Sequence, residues 1–487
     1  MIRLFSRVIA CGAAAAAVLI FVHNAARADV RLPQVIGSHM VLQRDMPCPI
    51  WGWANPGEQV IVTFAGQEQS AKADADGKWS VKLQPMKANA QPQTMTVQGN
   101  NTLKLDDVLV GEVWLCSGQS NMEWSVAASS NPQEEASAAN HPRIRHIKIQ
   151  HRPAEKPESD VPPTTWQLCS PQTVPGFTAV GYFFGRQLMT DLDVPVGLIG
   201  SNWGGTRIEP WTPPVGFQQT PALKDISDKL DSFPQKMQQK DKSDPPKVTT
   251  VINHQSPLAL YNGMIHPLVP FAIRGAIWYQ GESNNGEGML YFEKMKALIA
   301  GWRSVWNNPK MPFLFVQLAP YKYGNGDPTR LAAIWEAQTA ALSIPNTGMA
   351  VTVDIGNTKD IHPKNKQDVG RRLALWALAN TYGKSGIVYS GPLFKQLTVE
   401  GNKARLSFDH VGGGLVSRND KPLTHFQVAG ADMAFVPAEA KIDGPTVVVS
   451  SDKVAAPVAV RFAWDQEAEP NLSNKEGLPA SPFRTDK

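Results

Sequence analysis

The sequence predicts an α/β fold: a mostly parallel sheet with helices on both faces, flanked by N- and C-terminal β modules of the sandwich type. Three observations point there. Between residues 108 and 384, apolar runs of strand length alternate with segments of helical periodicity. On either side, short runs alternate apolar and polar residues with a period of two, cut by turn residues. At 487 residues the chain is too long for one ordinary core, so two or three domains are expected.

The elements follow in order. Arg3 and Arg7 precede an apolar run over 8–22, and Ala26-Arg27-Ala28 forms a small-x-small cleavage site. The run is short for a bilayer span. Residues 1–28 are therefore expected to be a signal peptide, with export to the periplasm or beyond and a mature start at Asp29. Its three arginines account for most of the formal charge, which falls from +4 to +1 on their removal. Nothing here suggests a nucleic-acid partner, and no later segment suggests a membrane span.

Residues 29–107 read as a β module. Val60, Val62 and Phe64 alternate with polar or small neighbours, as do Trp79, Val81 and Leu83. Asn55-Pro-Gly57 and Asp76-Gly77 supply turns. In the 108–384 region, strands are expected over 108–116, 196–199, 275–279, 313–318 and 349–353. Tyr291, Met295, Leu298, Ile299 and Trp302 repeat at helical spacing, as do Val369, Leu373 and Trp376. Residues 212–256, rich in Lys, Gln, Asp and Pro, read as an inserted surface segment near a site mouth. Period-two alternation returns over 385–487.

Composition excludes several classes. Hydrophobic residues at 42% and charged residues at 18% indicate a globular chain. Cys11 leaves with the leader, so Cys48, Cys116 and Cys169 allow at most one disulfide. Cys116 lies in an apolar strand and reads as a small buried residue. No Cys/His cluster has metal-ligand spacing, so neither a metal nor a cofactor is expected.

The chemistry gathers at predicted strand ends. The run Gly111-Glu-Val-Trp-Leu-Cys-Ser-Gly-Gln-Ser120-Asn-Met-Glu-Trp124 passes from a buried strand into a small-residue turn, which would hold the Ser120 hydroxyl at the sheet edge. A nucleophilic serine needs a base. His362, on a loop after the strand ending at Val353, is the outstanding candidate. The base needs an orienting acid, and Asp360, Glu282 and Asp354 each lie after a strand. An oxyanion needs donors. Ser201-Asn-Trp-Gly-Gly-Thr206 offers Gly204 and Gly205, and Gln280 offers an amide. Gln119, Asn121, Arg207 and Trp211 are candidates to line the cleft, with a sugar stacking on Trp211 or Trp124.

Together these motifs resemble the sialate O-acetylesterases and acetylxylan esterases of the SGNH-hydrolase superfamily. The likeness rests on Gly118-Gln-Ser-Asn-Met122, Trp203-Gly-Gly-Thr206, Trp278-Tyr-Gln-Gly-Glu-Ser283 and Asp360-Ile-His-Pro363, and extends to Met40-Val-Leu-Gln-Arg44 and Gly477-Leu-Pro-Ala-Ser-Pro-Phe-Arg484. It implies an SGNH-hydrolase-like domain and a metal-free esterase that releases acetate from O-acetylated carbohydrate. Such substrates include 9-O-acetyl esters of sialic acid and related acetylated glycans. It implies Ser120 as nucleophile, His362 as base, and Ser120, Gly205 and Gln280 around the oxyanion. One position departs from the superfamily. Lys359 stands three residues before the histidine, where an acid is common, leaving Asp360, Glu282 or a Ser–His dyad as alternatives. Acetylxylan or another polysaccharide is the alternative substrate. A non-catalytic glycan-binding protein is the competing class.

Overall fold

The structure, a computed structural model, describes residues 29–240, 242–243 and 246–486, so the expected signal peptide lies outside the described residues. One strand organises the rest. Strand β1, Thr102–Gly118, is 17 residues long and changes character along its length. Its first six residues alternate exposed and half-buried, and its last eleven are buried without interruption. A strand reads as alternating when one face is covered and as a continuous apolar run when both are.

The buried half is the centre of the main sheet. Strands β2 (His141–Lys148), β3 (Gln167–Cys169), β4 (Val196–Asn202), β5 (Gly275–Tyr279), β6 (Phe313–Val316) and β7 (Thr347–Ala350) join it in the order β7-β6-β5-β1-β4-β2-β3. All pairings are parallel except that of β3 with β2. β1 is gripped from both sides: Glu112–Gly118 pair with Val196–Asn202, and Trp114–Gly118 with Gly275–Tyr279.

Helices cover both faces. Trp114 lies in register with Gly275 and Ser117 with Trp278, so the two indoles point to opposite sides. Trp114 meets Phe184 of α2 (Ala179–Leu192) with ring centroids 5.0 Å apart. Trp278 meets Trp302 of α3 (Leu290–Val305) at 5.8 Å, edge to face. Helix α5 (Lys366–Trp376) packs along α2, and α4 (Arg330–Ala340) beside α3.

The exposed half of β1 belongs to the N-terminal module, pairing antiparallel with Asn89–Gln98. Val41–Gln43, from the Met40–Arg44 motif, pairs parallel with Leu109–Gly111. Glu112, fully buried, then holds Arg44 at 2.5 Å and Arg274 at 2.8 Å, pinning this module to the entry of β5. The structure therefore makes no break where the sequence reading divides the chain at 107/108. The texture changes there because burial passes from one face to two, while the backbone continues through Asp107 at φ +56°, whose carboxylate takes both terminal nitrogens of Arg145 at 2.5 and 3.1 Å.

The C-terminal module is a sandwich. One four-stranded antiparallel sheet runs from Leu393–Glu400 through Lys403–Asp409 and Thr446–Ser450 to Glu439–Asp443. A second holds Phe426–Ala429, Ala459–Phe462 and Phe483–Arg484. Phe394 of one stacks on Phe483 of the other at 4.4 Å, within an apolar cluster separate from the main core. The 477–484 motif docks on the α/β region, where Ser481 accepts from Gln317 at 2.8 Å and Arg484 pairs with Glu336 at 3.0 Å.

The segment 212–256 holds short helices and an exposed hairpin, Lys236–Lys240 with Val248–Ile252. Its Phe217 and Leu223 form a small cluster with Leu258 and Ala297 of α3. Cys48, Cys116 and Cys169 are all free and buried.

Gly118 is a tight point at the end of β1. Its φ of +135° is open to glycine, and a Cβ would overlap the Tyr279 carbonyl. Gly118→Ala is expected to cost about 2 kcal/mol or more. Gly37→Ala, with nothing within 4 Å, should stay within about 0.5 kcal/mol. Urea titration of both variants checks this, and equal midpoints would refute it.

Candidate active site

The carboxyl end of β1 builds the site. The Gln119 N–H donates to Tyr279 O at 2.9 Å and the Trp203 N–H to Gly118 O at 3.1 Å, so the strand ends of β5 and β4 clamp the turn. Helix α1, Ser120–Glu123, follows at once. The Met122 and Glu123 N–H groups donate to Gln119 O, at 2.9 and 3.0 Å. The Ser120 N–H, in the first turn, has no intrahelical partner and stays available.

His362 meets this turn from the loop after β7. Its Nε2 lies 2.9 Å from Ser120 Oγ. The imidazole stacks on Trp124, with centroids 4.5 Å apart and planes at 15°. Trp124 is itself fixed by donating Nε1–H to Ala128 O at 2.7 Å. Burial and the nearby Lys366 ammonium hold the His362 pKa below its ordinary value, with Asp360 acting in the opposite sense. The ring is thus kept in the neutral form that can accept a proton.

The three candidate acids separate. Asp360 accepts the backbone N–H of His362 at 2.9 Å, and its carboxylate lies 4.0 Å from Nδ1, outside hydrogen-bond range. Glu282 is not the orienting acid: it is buried away from the ring and accepts from Asn121 Nδ2 at 2.6 Å. Asp354 is bound by Arg372 through two contacts of 2.7 Å. Asp360 alone comes near the imidazole.

The glycine loop after β4 sits against the serine. A Cβ on Gly204 would lie 3.3 Å from Ser120 Cβ. The Gly204 N–H is committed to Glu123 Oε2 at 2.7 Å. Gly205, at φ +74°, turns its carbonyl toward Ser283 Oγ (2.8 Å) and Gln255 Nε2 (2.9 Å). Its N–H meets no acceptor among the described residues. The Ser120 and Gly205 N–H groups thus meet no acceptor among the described residues.

Gln280 is not an oxyanion donor here. It is fully buried at the end of β5, and its amide NH₂ faces Asn284 Oδ1 (2.8 Å), Thr206 O (3.1 Å) and Gln119 Oε1 (3.2 Å). It forms the floor under the glycine loop. Of the cleft candidates, Trp211 is fully buried and donates to Thr206 Oγ1 at 3.1 Å. Asn121 is buried beneath the serine turn. The Gln119 side-chain oxygen Oε1 accepts from the backbone N–H groups of Gly281 and Ser283, at 3.4 and 3.3 Å. Arg207 is half-exposed but tied to Glu209 at 3.0 Å and to Glu287, both also held by Lys294 at 2.7 Å. Burial would raise the Glu209 carboxyl, yet Lys294 and Arg207 bring it down to about 2. Arg207 braces the loop from outside.

The comparisons bear directly on this arrangement. The profile of a carbohydrate esterase family, sialic acid-specific acetylesterase, matches residues 110–379. That span runs from within β1 through the His362 loop and α5. The chain belongs to this family. The human sialate O-acetylesterase is 31% identical over 511 residues, covering 96% of this chain and 94% of the relative. The rat sialate O-acetylesterase is 31% identical, with 89% of each chain covered. A carbohydrate acetylesterase from Xanthomonas citri has a crystal structure that superposes with a TM-score of 0.84 at 41% identity, covering 94% of this chain and 100% of that one. As a member of the acetylesterase family, the chain is a carboxylic ester hydrolase.

Beside the serine turn lie residues that the sequence did not single out as functional. Trp203, beside the glycine loop, is sandwiched between His151 at 4.2 Å and His254 at 4.8 Å, both with ring planes nearly parallel to its own. Glu123 joins this wall to the serine turn by accepting from the Gly204 N–H and pairing with His151 at 3.0 Å. His254 and Gln255 come from the end of the 212–256 segment, where Gln255 Nε2 donates to Gly205 O at 2.9 Å. The Trp203-Gly-Gly motif pointed to this corner, but no spacing links its two histidines.

The His362 ring should titrate below about 6.5, the ordinary histidine value. Asp360→Asn removes an influence that favours the protonated ring, so the titration should move lower still. NMR of the imidazole protons checks both. An upward move in the variant would contradict the geometry.

Proposed function

We propose that this esterase removes acetyl groups from O-acetylated carbohydrates through an acetyl-Ser120 intermediate. The observation that carries it is the 2.9 Å contact between Ser120 Oγ and His362 Nε2 at the carboxyl end of the central strand. His362 takes the hydroxyl proton as Oγ attacks the acetyl carbonyl. The Ser120 and Gly205 N–H groups receive the developing oxyanion. The protonated imidazole then passes its proton to the departing sugar oxygen. Water, deprotonated by the same ring, attacks the acetyl-serine carbonyl, and acetate leaves as Oγ recovers its proton.

The aromatic wall supports a sugar substrate. Trp203 lies next to the glycine loop with His151 and His254 stacked on its faces, and Trp124 stacks on His362. Flat rings of this kind suit the apolar faces of a pyranose. Acetylated sialic acid is the substrate the curated relatives favour by name, and acetylated xylan is the alternative to exclude. Export by residues 1–28 would place the enzyme where such glycans are met.

Ser120→Ala should lower acetate release by at least about 10³-fold. Intact-mass analysis of the unsubstituted enzyme, quenched during turnover, should show one added acetyl group, and Ser120→Ala none. Full turnover by Ser120→Ala would reject the nucleophile. Asp360→Asn should lose about tenfold or less, because a 4.0 Å separation is not a hydrogen bond. A directly bonded triad acid would cost about 10⁴-fold. His254→Ala should raise KM for acetylated sugar while leaving p-nitrophenyl acetate turnover unchanged. Parallel assays on acetylated sialic acid and acetylated xylan identify the preferred sugar, and release from neither would turn the reading toward another acyl ester.

A further inference from the structure

Behind the Ser120–His362 pair lies a buried cation that the mechanism above does not use. Lys366 opens α5 and is fully buried. Its Nζ donates to Asn121 Oδ1 at 2.5 Å and lies 5.2 Å from the centre of the Tyr279 ring. Among the described residues no carboxylate is in ion-pair contact with it. Burying an ammonium is unfavourable, and an apolar side chain of similar length would fill the space without that cost.

Asn121 explains what the ammonium accomplishes. An amide has one acceptor end and one donor end, and the two are nearly equal in shape. Lys366 offers only donors, so the Asn121 oxygen must face it. The Asn121 NH₂ then faces the other way, toward Ile361 O at 3.0 Å and Glu282 Oε1 at 2.6 Å. Asn121 follows the serine, and Ile361 precedes the histidine. One amide therefore ties the serine turn to the histidine loop, and its orientation depends on the lysine.

We propose that Lys366 is a positioning residue of the esterase site, its buried ammonium fixing the Asn121 amide and thereby the register between Ser120 and His362. This rests on the Ser120–His362 reading above. The charges around the pair agree with it. Asp360 faces His362 from its own loop, Lys366 from α5, and the neutral Ser120 and Trp124 from the serine turn. Glu282 and Tyr279 face Lys366 from the end of β5. Burial brings the Lys366 pKa down to about 7 against the opposing pull of Glu282 and Asp360. Burial raises the Glu282 carboxyl, whose Oε2 has no hydrogen-bond partner among the described residues. The lysine charge also disfavours a second positive charge on His362.

The test uses Lys366→Met beside Lys366→Met/Glu282→Gln, which removes the carboxylate the single variant would leave uncompensated. In the folded double variant, kcat on p-nitrophenyl acetate should fall about 100-fold, with KM within about twofold. The His362 titration should move to higher pH. A folded double variant with unchanged kcat and an unmoved His362 titration would show Lys366 to be filler. Should neither variant fold, the unsubstituted protein decides. Its His362 resonances must shift again as Lys366 loses its proton, and a single-step curve overturns the proposal. If the unsubstituted enzyme cleaves no acetyl ester, the functional reading fails, while the His362 titrations still judge the lysine.

Discussion

The backbone ladder that holds β1 between β4 and β5 is the constraint from which the site follows. Parallel neighbours on both sides bring three strand ends to one edge, and each end leads into a loop that carries chemistry. Because Gly118 lies so close to Tyr279, the chain must turn where it does, and Ser120 becomes the first residue free of the sheet. The glycine loop after β4 and the Gln280–Glu282 segment after β5 then fall on either side of the turn through the same register. No long-range charge is needed to assemble them. Hydrogen bonds between strands accomplish it, and the side chains refine what remains.

Refinement is where burial and charge compete. His362 is kept neutral by its stacked indole and by a cation behind it, whereas the single acid near its ring is partly exposed and out of bonding range. The site thus relies on packing to orient its base more than on an anionic partner. The Glu123 carboxylate does similar work on the other side, where His151 and the Gly204 N–H overcome the burial that would neutralise it. Both arrangements place fixed groups in a largely dry setting, where each dipole counts for more than it would in water.

Much of this was legible in the chain. Runs such as Val196–Ile199 announced strands covered on both faces, and the serine, histidine and glycine motifs each sat just beyond one. The helical spacing over Tyr291–Trp302 identified α3, whose indole meets Trp278. What stayed hidden depended on direction. Gln280 and Trp211 have the right chemistry for a cleft, but their positions on buried backbone turn them inward. Glu282 looked as eligible as Asp360 because spacing along the chain says nothing of which carboxylate faces a ring. Lys366 gave no signal at all, since a lysine opening a helix is ordinarily solvated.

The unbroken course of β1 through Asp107 carries a consequence for inheritance and engineering. Modules joined by linkers can be exchanged as cassettes, and can swing to present a polymer to a catalytic partner. Here the N-terminal strands and the catalytic sheet share one backbone segment and are riveted by Glu112 to Arg44 and Arg274. A chimera cut at this point would sever a strand in mid-course. The N-terminal module is therefore part of one structural unit with the sheet that carries the site.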